Sequence, residues 1–327
     1  MSHATLLSSL LALVVLTLPA VAGAQTTWHV DANYTGCPGG GTADDPFCTI
    51  GAAIVAAAAG DTIEVAAGRY IEYVTVTKDG LTLRGAGAGV TQIVGTPGVA
   101  TVAPIGFPDI PDFTLEGFHI SSEDPNAIQY QMGVVANPAN EPGALWTVRG
   151  CVIEGYMTGI FATDAWDGGQ IVIEDTVVTN GATGIMVVGD AIAIRRCTIQ
   201  HMEGIGIWAP GPTDFSVADT IITSTDAWAI QRYWGSGIGV PIERVLVYEN
   251  NLDNPSSCVS CGPFVMYLAE GFPGGFGVYS NFTPMPGPVL FEDPLFVDPE
   301  ASDVRLTAGS PAIDVGDPAA VPAAGDY

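Results

Sequence analysis

Residues 170–178 read QIVIEDTVV, residues 191–199 read AIAIRRCTI and residues 214–222 read DFSVADTII. Near its start, each stretch has two apolar residues two positions apart, which is the period-2 pattern of a strand with one buried face. Aligned on Ile173, Ile194 and Val217, the pattern extends outward through seven copies. The anchor residues of these copies are Leu83, Leu115, Val148, Ile173, Ile194, Val217 and Ile242. Repetition of one short unit predicts a stack of similar coils.

Two further columns of the alignment are apolar. The position two before the anchor holds Leu81, Phe113, Trp146, Ile171, Ile192, Phe215 and Val240. The position five after it holds Ala88, Ile120, Ile153, Val178, Ile199, Ile222 and Val247. The copies are 21 to 33 residues apart. The shorter spacings are too short for a propeller blade, and the pattern lacks the helical period of ankyrin or tetratricopeptide repeats.

The position directly after the anchor alternates in charge. It reads Arg84, Glu116, Arg149, Glu174, Arg195, Ala218 and Glu243, and the next position ends Asp175, Arg196, Asp219 and Arg244. Neighbouring strands lie about 4.8 Å apart, and opposite charges that face each other contribute roughly 0.2 to 1 kcal/mol per pair. The alternation therefore predicts that successive copies stack directly, with Glu174 close to Arg149 or Arg195.

Motifs at both ends carry a family resemblance. Residues 41–50 read GTADDPFCTI, residues 59–65 AGDTIEV, residues 81–87 LTLRGAG, residues 293–299 DPLFVDP and residues 309–317 GSPAIDVGD. With these motifs the chain resembles right-handed parallel β-helix proteins of the pectate-lyase-like superfamily. The resemblance implies an all-β, right-handed parallel β-helix solenoid, and we expect an N-terminal capping helix within residues 49–59. It also implies calcium as a possible cofactor, because lyases of this superfamily often use it.

Composition and the N-terminus bound the class of protein. Residues 6–18 form a mostly apolar run and residues 22–24 read AGA, which predicts a signal peptide over residues 1–24. We expect residues 25–327 to form a single β-helix domain that is secreted, periplasmic or at the cell surface, without a membrane span. The 35 acidic residues outnumber the 9 basic ones, for a net charge of −26, which argues against nucleic acid as a partner.

The six cysteines fall into two groups. Cys37 with Cys48, and Cys258 with Cys261, flank or lie in loops and are predicted to form local disulfides. Cys151 and Cys197 occupy equivalent positions two coils apart, a Cα separation of about 9.6 Å, beyond the roughly 7 Å that a disulfide can bridge. We therefore predict two buried free thiols.

A second repeated element supplies candidate site residues. It begins with Gly159-Ile160, Gly184-Ile185, Gly206-Ile207 and Ala229-Ile230. Acidic and aromatic residues and one arginine follow on successive coils: Asp164, Trp166, Asp190, Trp208, Arg232, Tyr233 and Trp234. Aromatic rings stack on sugar faces, so Trp166, Trp208, Tyr233 and Trp234 are candidate carbohydrate-binding residues. The alternative is that these aromatic residues only cover coil edges.

Two functional hypotheses follow. The first is an exported noncatalytic solenoid that binds a polysaccharide or cell-surface glycan, or builds an envelope layer. The second is a calcium-assisted polysaccharide lyase acting on an acidic glycan, with Arg232 as the catalytic base and Asp164 and Asp190 as calcium ligands. The first is favoured because Arg84, Arg149, Arg195, Arg196 and Arg244 are needed for the charge rows and the hydrolase motifs of the superfamily are absent.

Overall fold

A computed structural model describes residues 25–95, 100–104, 110–124, 131–138, 142–163, 169–189, 191–211, 213–232, 241–248, 266–269, 277–279, 289–290, 292–299 and 303–313. The predicted signal peptide, residues 1–24, lies outside these ranges.

The described chain consists mostly of short strands, with one helix, α1 (Ile50–Ala56). The first strands are β1 (Thr27–Val30), β2 (Thr62–Val65), β3 (Gly68–Ile71), β4 (Val74–Val76), β5 (Leu81–Gly85), β6 (Thr91–Gly95), β7 (Ala100–Pro104), β8 (Phe113–Glu116), β9 (His119–Ser122), β10 (Met132–Ala136), β11 (Leu145–Arg149) and β12 (Val152–Glu154). The remaining strands are β13 (Thr158–Thr163), β14 (Gln170–Glu174), β15 (Val177–Val188), β16 (Ile192–Arg195), β17 (Thr198–Ala209), β18 (Phe215–Thr225), β19 (Ile230–Arg232), β20 (Ile242–Tyr248), β21 (Met266–Ala269), β22 (Gly277–Tyr279), β23 (Val289–Leu290), β24 (Phe296–Asp298) and β25 (Asp303–Leu306).

Strands of successive coils pair into three ladders. Ladder A contains β1, β2, β5, β8, β11, β14, β16 and the first parts of β18 and β20, all parallel. Ladder B contains β3, β6, β9, β12, the first parts of β15 and β17, the second parts of β18 and β20, and β23, also parallel. Ladder C contains β4, β7, β10, β13, the second parts of β15 and β17, and β19 in parallel, then β21 and β22 antiparallel. The predicted parallel β-helix is confirmed.

The anchor column is confirmed residue by residue. Leu83, Leu115, Val148, Ile173, Ile194, Val217 and Ile242 are successive register partners in ladder A. All of them are buried in the core between the ladders.

In the apolar column five positions after the anchor, the sequence alignment was wrong in one copy. In the first copy the register partner of Ile120 is Ile93, not Ala88. Residues 86–90 separate β5 from β6, and Val90 and Thr91 donate their amides to the carbonyl of Gly87. This loop is longer than the two-residue connection between β11 and β12, so the second strand starts later in this copy.

In the two charge rows, which are the positions one and two after the anchor, most neighbouring coils are joined by ion pairs, and the predicted closeness of Glu174 to Arg195 is confirmed. Glu174 Oε2 lies 2.7 Å from Arg195 Nε and 2.8 Å from Arg196 Nη2. Other pairs in the rows are Glu64–Arg84, Arg84–Glu116, Glu116–Arg149, Asp175–Arg196 and Asp219–Arg244. The pairs join neighbouring coils, so they fix the register in addition to the apolar columns.

The helix α1 begins after Thr49, whose hydroxyl accepts from the amide of Ala52. The Glu72 carboxylate accepts from the amides of Ile50 and Gly51 at 2.9 and 2.8 Å. Ile50, with two further helical residues, packs into the core. A helix thus occupies part of the predicted range, while its role in closing the end of the β-helix stays a prediction.

The cysteine predictions can be compared for four of the six residues. Cys37 and Cys48 form a disulfide with a Cα–Cα distance of 5.8 Å. Cys151 and Cys197 are free and buried, as predicted. Cys258 and Cys261 lie outside the described residues.

Candidate functional site

Ladder C begins in successive coils with a small residue that the backbone geometry requires. Gly133, Gly159, Gly184 and Gly206 hold this position, followed by Ala229. A Cβ at Gly184 would lie 2.6 Å from both the Gly206 carbonyl oxygen and Ile199 Cγ2. The next coil and the core therefore lie too close for a Cβ here, and the Gly-Ile motif of the sequence marks this close packing.

After this position, side chains alternate between the core and the outside. In β13, Ile160 and Ala162 are fully buried, whereas Phe161 and Thr163 are partly exposed. The register partners of Phe161 lie in one outward column, and those of Thr163 in the next. The first column holds Val135, Phe161, Met186, Trp208 and Gln231, and the second holds Thr163 and its partner Val188. Asn137 directly follows Ala136, the register partner of Ala162, and we group it with the second column. We call these eight residues the ladder C face.

The ladder C face is apolar along most of its length. Its first column spans five coils, about 19 Å at the usual strand spacing. Phe161, Met186 and Trp208 are partly exposed, whereas Val135 is 8% and Gln231 5% exposed. A partly exposed stripe with two aromatic rings offers flat surfaces on which sugar rings stack.

Two polar side chains on this face lack partners. Asn137 is 1% exposed, and neither its Nδ2 nor its Oδ1 has a hydrogen-bond partner. The buried Nε1 of Trp208 also lacks one. An unpaired buried polar group costs about 1–3 kcal/mol, and native proteins pair the large majority of such groups with protein, water or ligand.

Ladder B contains comparable groups. Gln200 is fully buried and Thr179, its register partner, is 1% exposed. The Gln200 amide atoms and the Thr179 hydroxyl have no partners. Their column holds Glu154, Thr179, Gln200 and Thr223 and continues to Tyr248, so its aromatic residue stands two coils from Gln200.

Of the predicted carbohydrate-binding residues, Trp208 lies on the ladder C face. Trp166, Tyr233 and Trp234 lie outside the described residues, as do the predicted calcium ligands Asp164 and Asp190. Sequence reasoning missed Val135, Phe161, Met186 and Asn137. The signal was present, because the first three directly follow the inward residue after each glycine, as Trp208 does.

Arg232, the predicted catalytic base, is the last residue of β19 and the register partner of Ala209. The preceding members of that column are Ala136, Ala162 and Val187, all fully buried. The backbone of Arg232 therefore stands in the column that points to the core in earlier coils. The side chain of Arg232 is outside the described part of the structure.

Every arginine whose side chain the structure describes has an acidic partner. Besides the charge rows, Arg69 pairs with Glu123 and Arg305 with Asp303. The described residues contain no group of three or more His, Cys, Asp or Glu side chains that could hold a metal ion.

A histidine and a glutamate pair on ladder B. His119 Nε2 is 3.0 Å from Glu154 Oε2, and the side-chain Nδ2 of Asn180 donates to Glu154 Oε1 at 3.0 Å. The hydrogen bond with His119 is the main cause that lowers the pKa of Glu154. This arrangement joins side chains of three neighbouring coils.

Comparisons with known proteins concern architecture. No protein-family model and no curated protein matches the chain. Solved structures similar to it include pectin methylesterase PemA from Erwinia chrysanthemi, with 12% identity and a TM-score of 0.49 over 68% of this chain and 79% of that chain. The pectin methylesterase from Aspergillus niger has 17% identity and a TM-score of 0.47 over 70% and 78%. The Dettilon tailspike protein has 12% identity and a TM-score of 0.35 over 58% and 44%.

Across the residues that the structure describes, no helix has the length and apolarity needed to cross a membrane.

Proposed function

We propose that this protein is an exported, noncatalytic β-helix that binds carbohydrate through the ladder C face. The observation that carries the proposal is the combination on one surface of an apolar, aromatic stripe and unpaired polar atoms. Carbohydrate and other small-molecule sites combine apolar lining with a few placed polar groups. On this face Phe161 and Trp208 supply rings, and Asn137 and the Trp208 indole supply the polar groups.

The regular spacing of the coils suits a polymer. Successive positions of the face recur about every 4.8 Å along the β-helix axis. An extended glycan that lies along this axis would contact Phe161, Met186 and Trp208 in turn.

The pairing of arginines with carboxylates supports the proposal that the protein is noncatalytic. The described arginines are engaged by carboxylates, and a lyase needs a basic group at the bond it cleaves. The alternative lyase, with Arg232 as the base and Asp164 and Asp190 binding calcium, stays a separate hypothesis.

The binding test is affinity electrophoresis through gels that contain single neutral or acidic polysaccharides. We expect at least one polysaccharide to retard the wild type, and Trp208→Ala to abolish most of the retardation. Thr114→Ala, an outward substitution on ladder A, is the matched control and should migrate as the wild type does. No retardation by any polysaccharide would overturn the proposed function.

The catalysis test is absorbance at 235 nm during incubation with pectate, alginate and chondroitin, with and without calcium. We expect no unsaturated product. Product that disappears in Arg232→Ala would replace the binding proposal with the lyase hypothesis.

A further inference from the structure

We propose that the glycan bound by the ladder C face is an uncharged polysaccharide. This inference rests on the proposed function and adds the chemical class of the ligand.

The first argument is the chemistry of the face. None of its eight residues is ionisable: they are Val135, Phe161, Met186, Trp208, Gln231, Asn137, Thr163 and Val188. A uronate carboxylate placed against Phe161 and Met186 would lose water without gaining a charged partner from these residues. Such desolvation is costly unless a cation or several donors replace the water.

The second argument is the distribution of cations. A polyuronate needs Lys, Arg or a metal ion to offset its charge. The described arginines are already paired, for example Arg195 with Glu174 and Arg244 with Asp219. The chain as a whole carries a net charge of −26, which repels a polyanion at long range.

The third argument is the kind of polar group left unpaired. Asn137 has an unpaired donor and an unpaired acceptor, and Trp208 has an unpaired donor. A hydroxyl donates and accepts, so sugar hydroxyls can pair with all of these atoms. A carboxylate only accepts, so it could pair with the Asn137 Nδ2 and the Trp208 N–H but not with the Asn137 Oδ1.

The position of these groups also sets the minimum size of the ligand. Asn137 follows β10 and Trp208 lies in β17, three coil steps away through β13 and β15. At the usual strand spacing this is about 14 Å. A ligand that contacts both groups is therefore a chain of several sugar rings, not a monosaccharide.

The test compares neutral with acidic polysaccharides on the intact protein. Xyloglucan, galactomannan, mixed-linkage glucan, xylan and laminarin form the neutral set, and polygalacturonate and alginate, with and without calcium, form the acidic set. We expect a neutral polysaccharide to bind and the acidic set not to bind. Binding restricted to the acidic set would overturn this inference and leave the proposed function standing, whereas binding to neither set would overturn both.

Two substitutions test whether the polysaccharide binds at the ladder C face. Trp208→Phe keeps an aromatic ring but removes the unpaired N–H, and Asn137→Asp replaces the amide donor by a carboxylate. We expect each to weaken binding of the neutral polysaccharide about tenfold or more, with Thr114→Ala unchanged. Thermal unfolding followed by circular dichroism shows whether each variant is folded. If Asn137→Asp is not folded, the affinity of Trp208→Phe, the milder change, tests the placement. Wild-type affinity in folded Trp208→Phe would overturn the placement on the ladder C face.

Discussion

At the scale of single residues, the backbone leaves no space for a Cβ at one position of ladder C in four successive coils, held by Gly133, Gly159, Gly184 and Gly206. A Cβ at Gly133, Gly184 or Gly206 would lie 2.6 Å from the carbonyl oxygen of the next coil. Because that neighbour is backbone, the clash cannot be relieved by a rotamer change. The glycine column therefore reflects close packing of coils at this position, and it brings the outward residues that follow into one surface.

We expect Gly184→Ala to lower the free energy of unfolding by about 1–3 kcal/mol, the usual cost of overpacking. Gly211→Ala is the matched control, because an added Cβ there meets nothing within 4 Å. Urea unfolding followed by circular dichroism measures both. Equal stability of the two variants would contradict the packing explanation.

The buried thiols give a second prediction at this scale. Burial raises the pKa of Cys151 to about 11 and that of Cys197 to about 12. In the native protein at pH 8 both therefore stay as protonated, inaccessible thiols. Peptide mapping after iodoacetamide treatment should find them unmodified in native protein and modified after unfolding in urea. Modification of either thiol in native protein would contradict the described burial.

At the scale of elements, ion pairs join neighbouring strands, and a capping residue stabilises the start of the helix α1. Burial opposes ionisation of Glu174, but hydrogen bonds from Arg195 and Arg196 outweigh it and lower its pKa. Glu116 behaves in the same way between Arg149 and Arg84. The charge rows therefore stabilise neighbouring strands of ladder A only while these carboxylates are ionised.

The pH dependence follows from the direction of the shift. A carboxylate with a lowered folded pKa contributes stability above its unfolded pKa of about 4.3, and this contribution is lost as the pH falls through the folded value. Glu174→Gln should therefore be less stable than wild type at pH 7, and the difference should shrink below about pH 4. Glu203→Gln, at an exposed position, is the control. Urea unfolding at several pH values checks this, and a difference independent of pH would contradict it.

The helix α1 depends on its cap. Thr49→Ala removes the hydroxyl that accepts from the Ala52 amide and should cost about 1 kcal/mol. Thr49→Ser keeps the acceptor and should restore most of the loss. Denaturant unfolding compares the three proteins, and a Thr49→Ser variant as unstable as Thr49→Ala would show that the cap is not the cause.

The elements also show what a sequence can predict. Ladder A was predictable because its apolar period and alternating charges are both determined by neighbours one coil away. The partner of Ile120 was missed because loop length between β5 and β6 is not encoded by the strand pattern, so Ile93 replaced Ala88. Asn137 was missed because burial without a partner depends on packing between coils.

At the scale of the whole molecule, each coil contacts mainly its neighbours. The stability of such a solenoid is approximately a sum of coil terms and nearest-neighbour interfaces. Ladder A supplies a continuous example, since β11, β14 and β16 each pair on both sides. Coils in the middle have two interfaces and should open last.

Hydrogen exchange measured by mass spectrometry tests this expectation. Amides of β14 should exchange more slowly than those of β20, because fraying from an end of a stack needs less free energy than opening its middle. Faster exchange in β14 than in β20 would show that the coils do not behave as a linear array.

The N-terminal edge of ladder A carries one more consequence. The outer edge of β1 is already occupied at His29, whose backbone N–H donates to the Gly41 carbonyl and whose carbonyl accepts from the Phe47 N–H. Gly41 and Phe47 belong to the segment that the Cys37–Cys48 disulfide closes. An open edge would invite a strand from another molecule. With these groups satisfied, a strand from a second copy finds no free backbone partner at His29.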